Sequence, residues 1–381
     1  MISGNHITLL RNGTEYFPAL EQAIDAAQRE ILLQTYIFEA DVIGLRIANA
    51  LKNAAKRGVA VCVMLDGFGC NDTPEWFIRD LRGNGVHVLF YRPKISPWTL
   101  KRNRLRRLHR KVAVVDGHTA FVGGINIIDD MNTPWHSPPR VDYAVQVQGS
   151  LVASIHRTTR NLWQRIAWLS LRLHAPKLPP LFDTPPQGSM KAALVLRDNA
   201  LHRRDIETAY LQAIESAHSE IIIANAYFLP GLRFRRALAK AAERRVRVVL
   251  LLQERVEFRV LNMATKALYG SLLEAGVEIH EFRKSQMHSK VAVIDGHWAT
   301  VGSSNIDPFS LLMALEANVV VQDREFAESL RADLEIALTQ HSRQMHRTAW
   351  KNFSMLQRTS AWLGYGLVRL AMGLVGISDR E

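Results

Sequence analysis

Cysteine is nearly absent: Cys62 and Cys70 are the only two in 381 residues. With no CxxC pair and no Cys/His cluster, neither a disulfide framework nor a zinc finger is indicated, and a reducing, cytoplasmic-side location fits. Cys62 falls in the apolar run Val59 to Leu65 and reads as a core residue of a buried strand. Long hydrophobic runs are missing too. The N-terminus, MISGNHITLLRNG, has no cationic stretch followed by an apolar one, so no signal peptide is read there. No uninterrupted apolar run reaches the ~20 residues that cross a bilayer. The nearest, Ala361 to Ile377, is short and carries Arg369, which is costly inside hydrocarbon. It reads as an interfacial helix or as one packed on the body of the protein, because periodicity alone does not separate the two. Acidic residues are in deficit, Lys and Arg exceeding Asp and Glu by 12. That surplus draws the chain toward anionic surfaces, whether nucleic acid, acidic lipid or a phosphorylated substrate, without choosing among them. At 48% apolar and 22% charged residues the chain is too hydrophobic for disorder and folds.

What the chain does have is an internal repeat. HRKVAVVDGHTAFVGGIN, beginning at His109, returns as HSKVAVIDGHWATVGSSN, beginning at His288, without a gap. Upstream, ALEQAIDAAQREILLQTYIF from Ala19 resembles YLQAIESAHSEIIIANAYFL from Tyr210, each a helical pattern running into a β-rich stretch that reaches a tyrosine, Tyr36 or Tyr227. A second amphipathic helix (Gly44 to Arg57; Leu232 to Arg245) and an apolar strand (Val59 to Leu65; Val246 to Leu252) follow in both. After the motifs come two more strands, VDYAVQVQG and LEANVVVQD. Alternating helix and strand patterns predict an α/β fold with helices flanking a sheet. Prolines 176, 179, 180, 185 and 186 mark a linker. The expected organisation is an N-terminal half over 1–175, a Pro-rich linker over 176–189, a C-terminal half over 190–345 and an amphipathic tail over 346–381. Duplicated halves imply a pseudo-twofold, with one composite site at their interface.

In H-x-K, strand alternation puts His109 and Lys111 on one face, and His288 and Lys290 likewise. An imidazole beside an ammonium suits a phosphate: one attacks or moves a proton, the other neutralises oxygen charge. The segments Gly123, Gly124, Asn126 and Gly302, Ser303, Asn305 add donors for the remaining phosphoryl oxygens, so that Asn126, Asn305 and Ser303 are candidate phosphate ligands. Two such sets face to face make a phosphoryl-transfer site that needs no metal and no cofactor. Asp116 and Asp295 lie five residues beyond the lysines and precede glycines, so by themselves they favour a turn or scaffold role. A histidine that attacks phosphorus needs a partner to orient its ring. Asp142 and Glu316, which open the following strands and align in the repeat, are the candidates for fixing the tautomer and stabilising an imidazolium.

H-x-K-x4-D-x6-G-[GS]-x-N in two complete copies resembles the signature of the phospholipase D superfamily, and the likeness extends from about Gly13 to Arg324. The resemblance implies a duplicated fold of two α/β/α sandwich halves. It also implies a phosphohistidine mechanism, with His109 as nucleophile, His288 as acid/base, and Lys111, Lys290, Asp116 and Asp295 counted among the catalytic residues. Within the superfamily, the segments YIFEADVIGLRIANALKNAAKRGVAVCVMLDGFG, the surroundings of Trp135 and LYGSLLEAGVEIHEF resemble bacterial cardiolipin synthases of the B type. The implied reaction joins two phosphatidylglycerol molecules with release of glycerol. A lipid hydrolase, a nuclease or a phosphatidylserine synthase would use the same first step, whereas a dead binding module would show a damaged motif.

SPWTLKRNRLRRLHR, ahead of His109, interleaves Lys101, Arg102, Arg104, Arg106, Arg107 and Arg110 with Trp98, Leu100, Leu105 and Leu108. Basic residues near an anionic leaflet contribute about 1 kcal/mol each, and tryptophan suits the headgroup zone. The interleaving favours an anionic phospholipid membrane as partner over nucleic acid, and the resemblance implies phosphatidylglycerol as the lipid it carries. The expected location is peripheral, on the cytoplasmic side of a bacterial inner membrane. A second basic group, Arg233, Arg235, Arg236, Lys240, Arg244 and Arg245, fits a solvated helix face equally well.

Overall fold

The β-branched runs flanking each motif form strands, and the amphipathic segments between them form the helices that cover those strands. The computed structural model describes residues 1–93, 106–134, 136–170, 176, 178–180, 184–257, 259–348 and 355–374. In the first half the strands are β1 (Ile2–Arg11), β2 (Glu30–Thr35), β3 (Ala60–Asp66), β4 (His87–Tyr91), β5 (Lys111–Val115), β6 (Thr119–Gly123) and β7 (Tyr143–Gly149). The second half repeats them as β8 (Met190–Arg197), β9 (Glu220–Asn225), β10 (Arg247–Gln253), β11 (Glu278–Phe282), β12 (Lys290–Ile294), β13 (Trp298–Gly302) and β14 (Glu316–Gln322), and adds the edge strand β15 (Ser342–Met345).

All belong to one sheet, in the order β15-β11-β10-β9-β12-β13-β14-β8-β1-β7-β6-β5-β2-β3-β4. The triplets β2-β3-β4 and β9-β10-β11 are parallel, each joined by crossover helices. The strands bearing and following the motifs, β5-β6-β7 and β12-β13-β14, are antiparallel meanders. The halves meet where β1 runs antiparallel to β8, with Ile2 opposite Ala192 and Asn5 opposite Met190.

The layers explain why the halves hold a fixed relation. One face carries two separate apolar clusters, one per half. The first gathers Phe17, Leu20, Leu51 and Val63; the second gathers Tyr210, Phe234, Leu250 and Tyr269. On the other face a single cluster runs across both halves under the helices Leu151–Leu169 and Arg324–His341, from Val112 and Trp163 through Ala192 to Val291 and Leu330. A continuous buried core on one side makes the junction part of the protein interior rather than a hinge. Cys62 sits in β3, 1% exposed, as its apolar context required.

The C-terminal helix Met355–Leu374 does not resolve into one of the two readings its sequence allowed. Ala361 and Val368 are buried and Gly364 lies against Met263 of the helix Arg259–Ala267, so one face is packed on the body. The opposite face exposes Trp362, Leu363, Leu367 and Leu370, each 57% or more accessible. No helix among the described residues is long and apolar enough to cross a membrane. Most of the basic stretch before His109, from Lys94 to Leu105, and Trp135 lie outside the described residues.

Candidate active site

Backbone pairing across the two halves builds the site. Leu108 forms a parallel bridge with Leu315, and Val141 forms one with Met287. Each bridge sits one residue ahead of a histidine on one chain segment and one ahead of an acid on the other. The next residues are therefore neighbours: His109 beside Glu316, and His288 beside Asp142. His109 Nδ1 lies 2.9 Å from Glu316 Oε1 and 3.1 Å from Oε2, and His288 Nδ1 lies 2.7 Å from Asp142 Oδ2. The acids are 0% and 2% exposed. These are the acids that align in the repeat, and the pairing is crossed, each half supplying the carboxylate for the other half's histidine. An Nδ1–H directed at a carboxylate leaves Nε2 of each ring as the free, basic nitrogen.

Further bonds hold these segments in place. Leu108 N donates to Asp66 Oδ2 at 2.8 Å, and Met287 N donates to Gln253 Oε1 at 2.9 Å. Asp66 closes β3 and Gln253 closes β10, at equivalent ends of equivalent parallel strands. Both escaped the sequence reading, which treated those strands as core. The signal available was a polar residue ending an apolar run in both copies. Tyr36 packs edge-on against the His109 ring, centroids 5.0 Å apart, and Lys111 Nζ lies 5.3 Å from the centre of the Tyr36 ring.

Lys111 and Lys290 begin β5 and β12 and are 3% and 0% exposed. Lys111 Nζ donates to the His109 carbonyl at 2.7 Å. Lys290 Nζ reaches the His288 carbonyl and lies 3.6 Å from Asp142 Oδ2. Burial pulls Lys111 down to about 7 and Lys290 down to about 8. Burial also holds both imidazoles below their ordinary value, the nearby ammonium of Lys290 adding to the effect at His288. Asp142 lies below the usual carboxylate range: burial acts upward, but Lys290 and the bond from His288 outweigh it. Without an anion present, the pocket thus favours neutral imidazoles beside lysines poised close to neutrality. An arriving phosphodiester supplies the missing negative charge and favours the ammonium forms of the lysines.

Not every expected residue joins this centre. Asp116 and Asp295 stand at the far ends of β5 and β12, about 16 Å of strand from the lysines. Asp116 accepts from the backbone N–H groups of Gln28, Arg29 and Glu30 at 2.8–2.9 Å, and Asp295 from those of His218, Ser219 and Glu220 at the same distances. Both have left-handed backbones, φ 51° and 50°. Their geometry is that of anchors for the turns and for the starts of β2 and β9, at the far end of the motif strands from the histidines. Ser303 is likewise not free for phosphate: its hydroxyl donates to Glu316 Oε2 at 2.5 Å and accepts from Ala317 N at 3.1 Å. At the matching position a Cβ on Gly124 would lie 2.3 Å from Asp142 Oδ1. The shorter acid fills the space that Ser303 and the longer acid share in the other half. Asn126 and Asn305 are buried, 7% and 6% exposed. Asn126 Oδ1 accepts from Ile37 N at 3.1 Å, while Asn305 Oδ1 is buried without a partner among the described residues.

The family model described as "Cardiolipin synthase, PLD-like domain" matches residues 20–133 and 210–337, one stretch in each half. Cardiolipin synthase B of Shigella flexneri is 37% identical over 383 residues, 98% of this chain and 90% of the relative. Cardiolipin synthase A of Pseudomonas fluorescens is 30% identical over 357 residues, 91% of this chain and 72% of the relative. Among solved structures, phosphatidylserine synthase of Haemophilus influenzae superposes with a TM-score of 0.71 at 14% identity, covering 97% of this chain and 95% of its own, and shares the fold. A chain matched in both halves by one family model, and along nearly its whole length by these relatives, belongs to the cardiolipin synthase family of phospholipase D-like proteins.

Proposed function

We propose that the protein is a cardiolipin synthase acting by double displacement on phosphatidylglycerol. His109 Nε2 attacks the phosphorus of the first lipid. A P–N bond forms, the P–O bond to the headgroup glycerol breaks, and His288, which enters this step as the imidazolium stabilised by Asp142 and the bound phosphodiester, gives its Nε2 proton to the departing glycerol oxygen. His288 then takes the proton from a hydroxyl of a second phosphatidylglycerol, whose oxygen attacks the phosphohistidine and releases His109. Lys111, Lys290 and the amides of Asn126 and Asn305 hold the non-bridging oxygens. Glu316 and Asp142 fix the ring tautomers and stabilise the imidazolium forms. The crossed Nδ1–carboxylate pairs carry this reading, since they leave two basic nitrogens and two ammonium groups around one position. His109 takes the nucleophile's part by resemblance to the phospholipase D superfamily; its ring is held by both oxygens of Glu316 and by Tyr36.

The proposed partner is the anionic surface of the cytoplasmic leaflet of a bacterial inner membrane, met peripherally. The outward apolar face of the C-terminal helix supports this, with Trp362 suited to the headgroup zone. Purified protein with detergent-dispersed phosphatidylglycerol should yield cardiolipin and free glycerol, with and without EDTA, and neither product from the His109→Ala variant. Phosphatidic acid as sole product would make water the acceptor. No lipid turnover would defeat the proposal.

A further inference from the structure

The two halves match closely at the histidines but not at the residue two positions before each carboxylate. In the first half that residue is Arg140, and in the second it is Ala314. The segment leading to Arg140 is also the longer: sixteen positions separate Asn126 from Asp142, and eleven separate Asn305 from Glu316. The added residues fasten the arginine. Arg140 N donates to Asp130 O at 2.8 Å, and its Nη2 donates to Asn132 O at 2.9 Å. Its Nη1 is buried with no hydrogen-bond partner, and it makes no ion pair among the described residues. Val141, next in the chain, bridges to Met287, so the guanidinium belongs to the His288 side of the site, and its charge bears on Lys290 and Tyr227. Arg255 adds positive charge nearby and the acids Glu257 and Asp130 add negative charge, while burial holds His136 toward its neutral form.

A guanidinium held in place with a buried, unused N–H donor is suited to an anion, because leaving that donor without a partner is costly. On the proposed reaction path the two sides of the site differ in one respect. The departing glycerol is neutral, whereas the lipid that replaces it from the same side brings its own phosphate, one glycerol away from the attacking hydroxyl. We infer that Arg140 is the binding residue for the phosphate of the acceptor lipid, a subsite that selects an anionic phospholipid over water or a neutral alcohol as the second substrate. Ala314 stands on the side of the nucleophile, where no second phosphate arrives. The inference rests on the cardiolipin synthase reading and names the part of the site that makes the transfer selective.

The test is competition between acceptors. The protein is given phosphatidylglycerol in detergent together with 1-butanol, and cardiolipin and phosphatidylbutanol are counted by mass spectrometry. Arg140→Gln should lower the ratio of cardiolipin to phosphatidylbutanol by tenfold or more, and Arg140→Lys should restore part of it. The ratio is read within one reaction, so partial loss of folded protein leaves it unaffected. An unchanged ratio in Arg140→Gln would overturn the assignment. Equal loss of both products from a variant that keeps its circular dichroism would also overturn it, by placing Arg140 in the common machinery. Phosphatidylbutanol without cardiolipin from the unmodified protein would instead overturn the reading on which the inference stands.

Discussion

At the scale of the residue, two carboxylates of different length stand in the same relation to two histidines. Glu316 reaches His109 and is itself held by Ser303, while Asp142 reaches His288 across the space left by Gly124. Replacing either by its amide keeps the volume but removes the charge that stabilises an imidazolium. Glu316→Gln and Asp142→Asn should each lower kcat by roughly 10²–10⁴-fold, the range found when a histidine loses its carboxylate partner, with little change in thermal unfolding. Wild-type rates in both would remove the carboxylates from the mechanism. The lysines set a second expectation. Their ammonium forms bind phosphate and are lost as pH rises through about 7 for Lys111 and about 8 for Lys290. His109 must be neutral to attack, and burial places its titration below the ordinary histidine value. The pH profile of kcat/KM should therefore be a bell with its acid limb below pH ~6.5 and its alkaline limb between about 7 and 8. Lys111→Arg, which cannot deprotonate in this range, should move the alkaline limb upward. A profile flat from pH 5 to 9 would contradict these assignments.

At the scale of the element, the motif's aspartates show how one signature mixes two kinds of constraint. Strand alternation places His and Lys together at one end of β5 or β12, and the same rise per residue carries the aspartate to the other end. The Asp-Gly pairs already indicated a turn. What the sequence could not show is that each carboxylate gathers three backbone N–H groups from the start of a neighbouring strand. Asp116→Ala should cost about 2–4 kcal/mol of stability, from lost charged hydrogen bonds and an alanine forced to positive φ. A denaturant titration measures it, and an unchanged midpoint would refute the anchoring role. The C-terminal helix was legible only as a pattern. Its apolar residues are too many for one face, and only the packing of Ala361, Gly364 and Val368 on the helix Arg259–Ala267 shows which of them remain outside. Trp362→Glu combined with Leu367→Glu should reduce co-sedimentation of the protein with phosphatidylglycerol vesicles severalfold. Equal sedimentation of the variant and the unmodified protein would exclude this face from membrane contact.

At the scale of the whole molecule, duplication was the feature most open to reading. A motif that recurs with its flanking helices and strands leads to paired halves, and the single sheet with its shared core meets that expectation. The pairing of acids with histidines was legible as far as the identity of the four side chains. The crossing was not, because it depends on which backbone segments bridge, Leu108 with Leu315 and Val141 with Met287, and neither contact leaves a mark in the composition or the period of the chain. Asp66, Gln253 and Arg140 were missed for a related reason. Each acts through a bond or an unused donor made by tertiary placement, and each is an ordinary strand-end or loop residue when read alone. The crossing has its own consequence: neither half holds a histidine with its orienting acid, so catalysis belongs to the intact chain. Such a composite site passes the phosphatidyl group through His109 in the proposed mechanism. The most direct measurement is acid-quench trapping, followed by peptide mass spectrometry, of the His288→Ala variant given a phosphatidyl ester with a good leaving group that needs no acid. The account predicts a phosphatidyl adduct on His109 that accumulates in His288→Ala and is absent from His109→Ala. An adduct on His288 in the His109→Ala variant, with none on His109 in the His288→Ala variant, would reverse the roles and contradict the mechanism as stated.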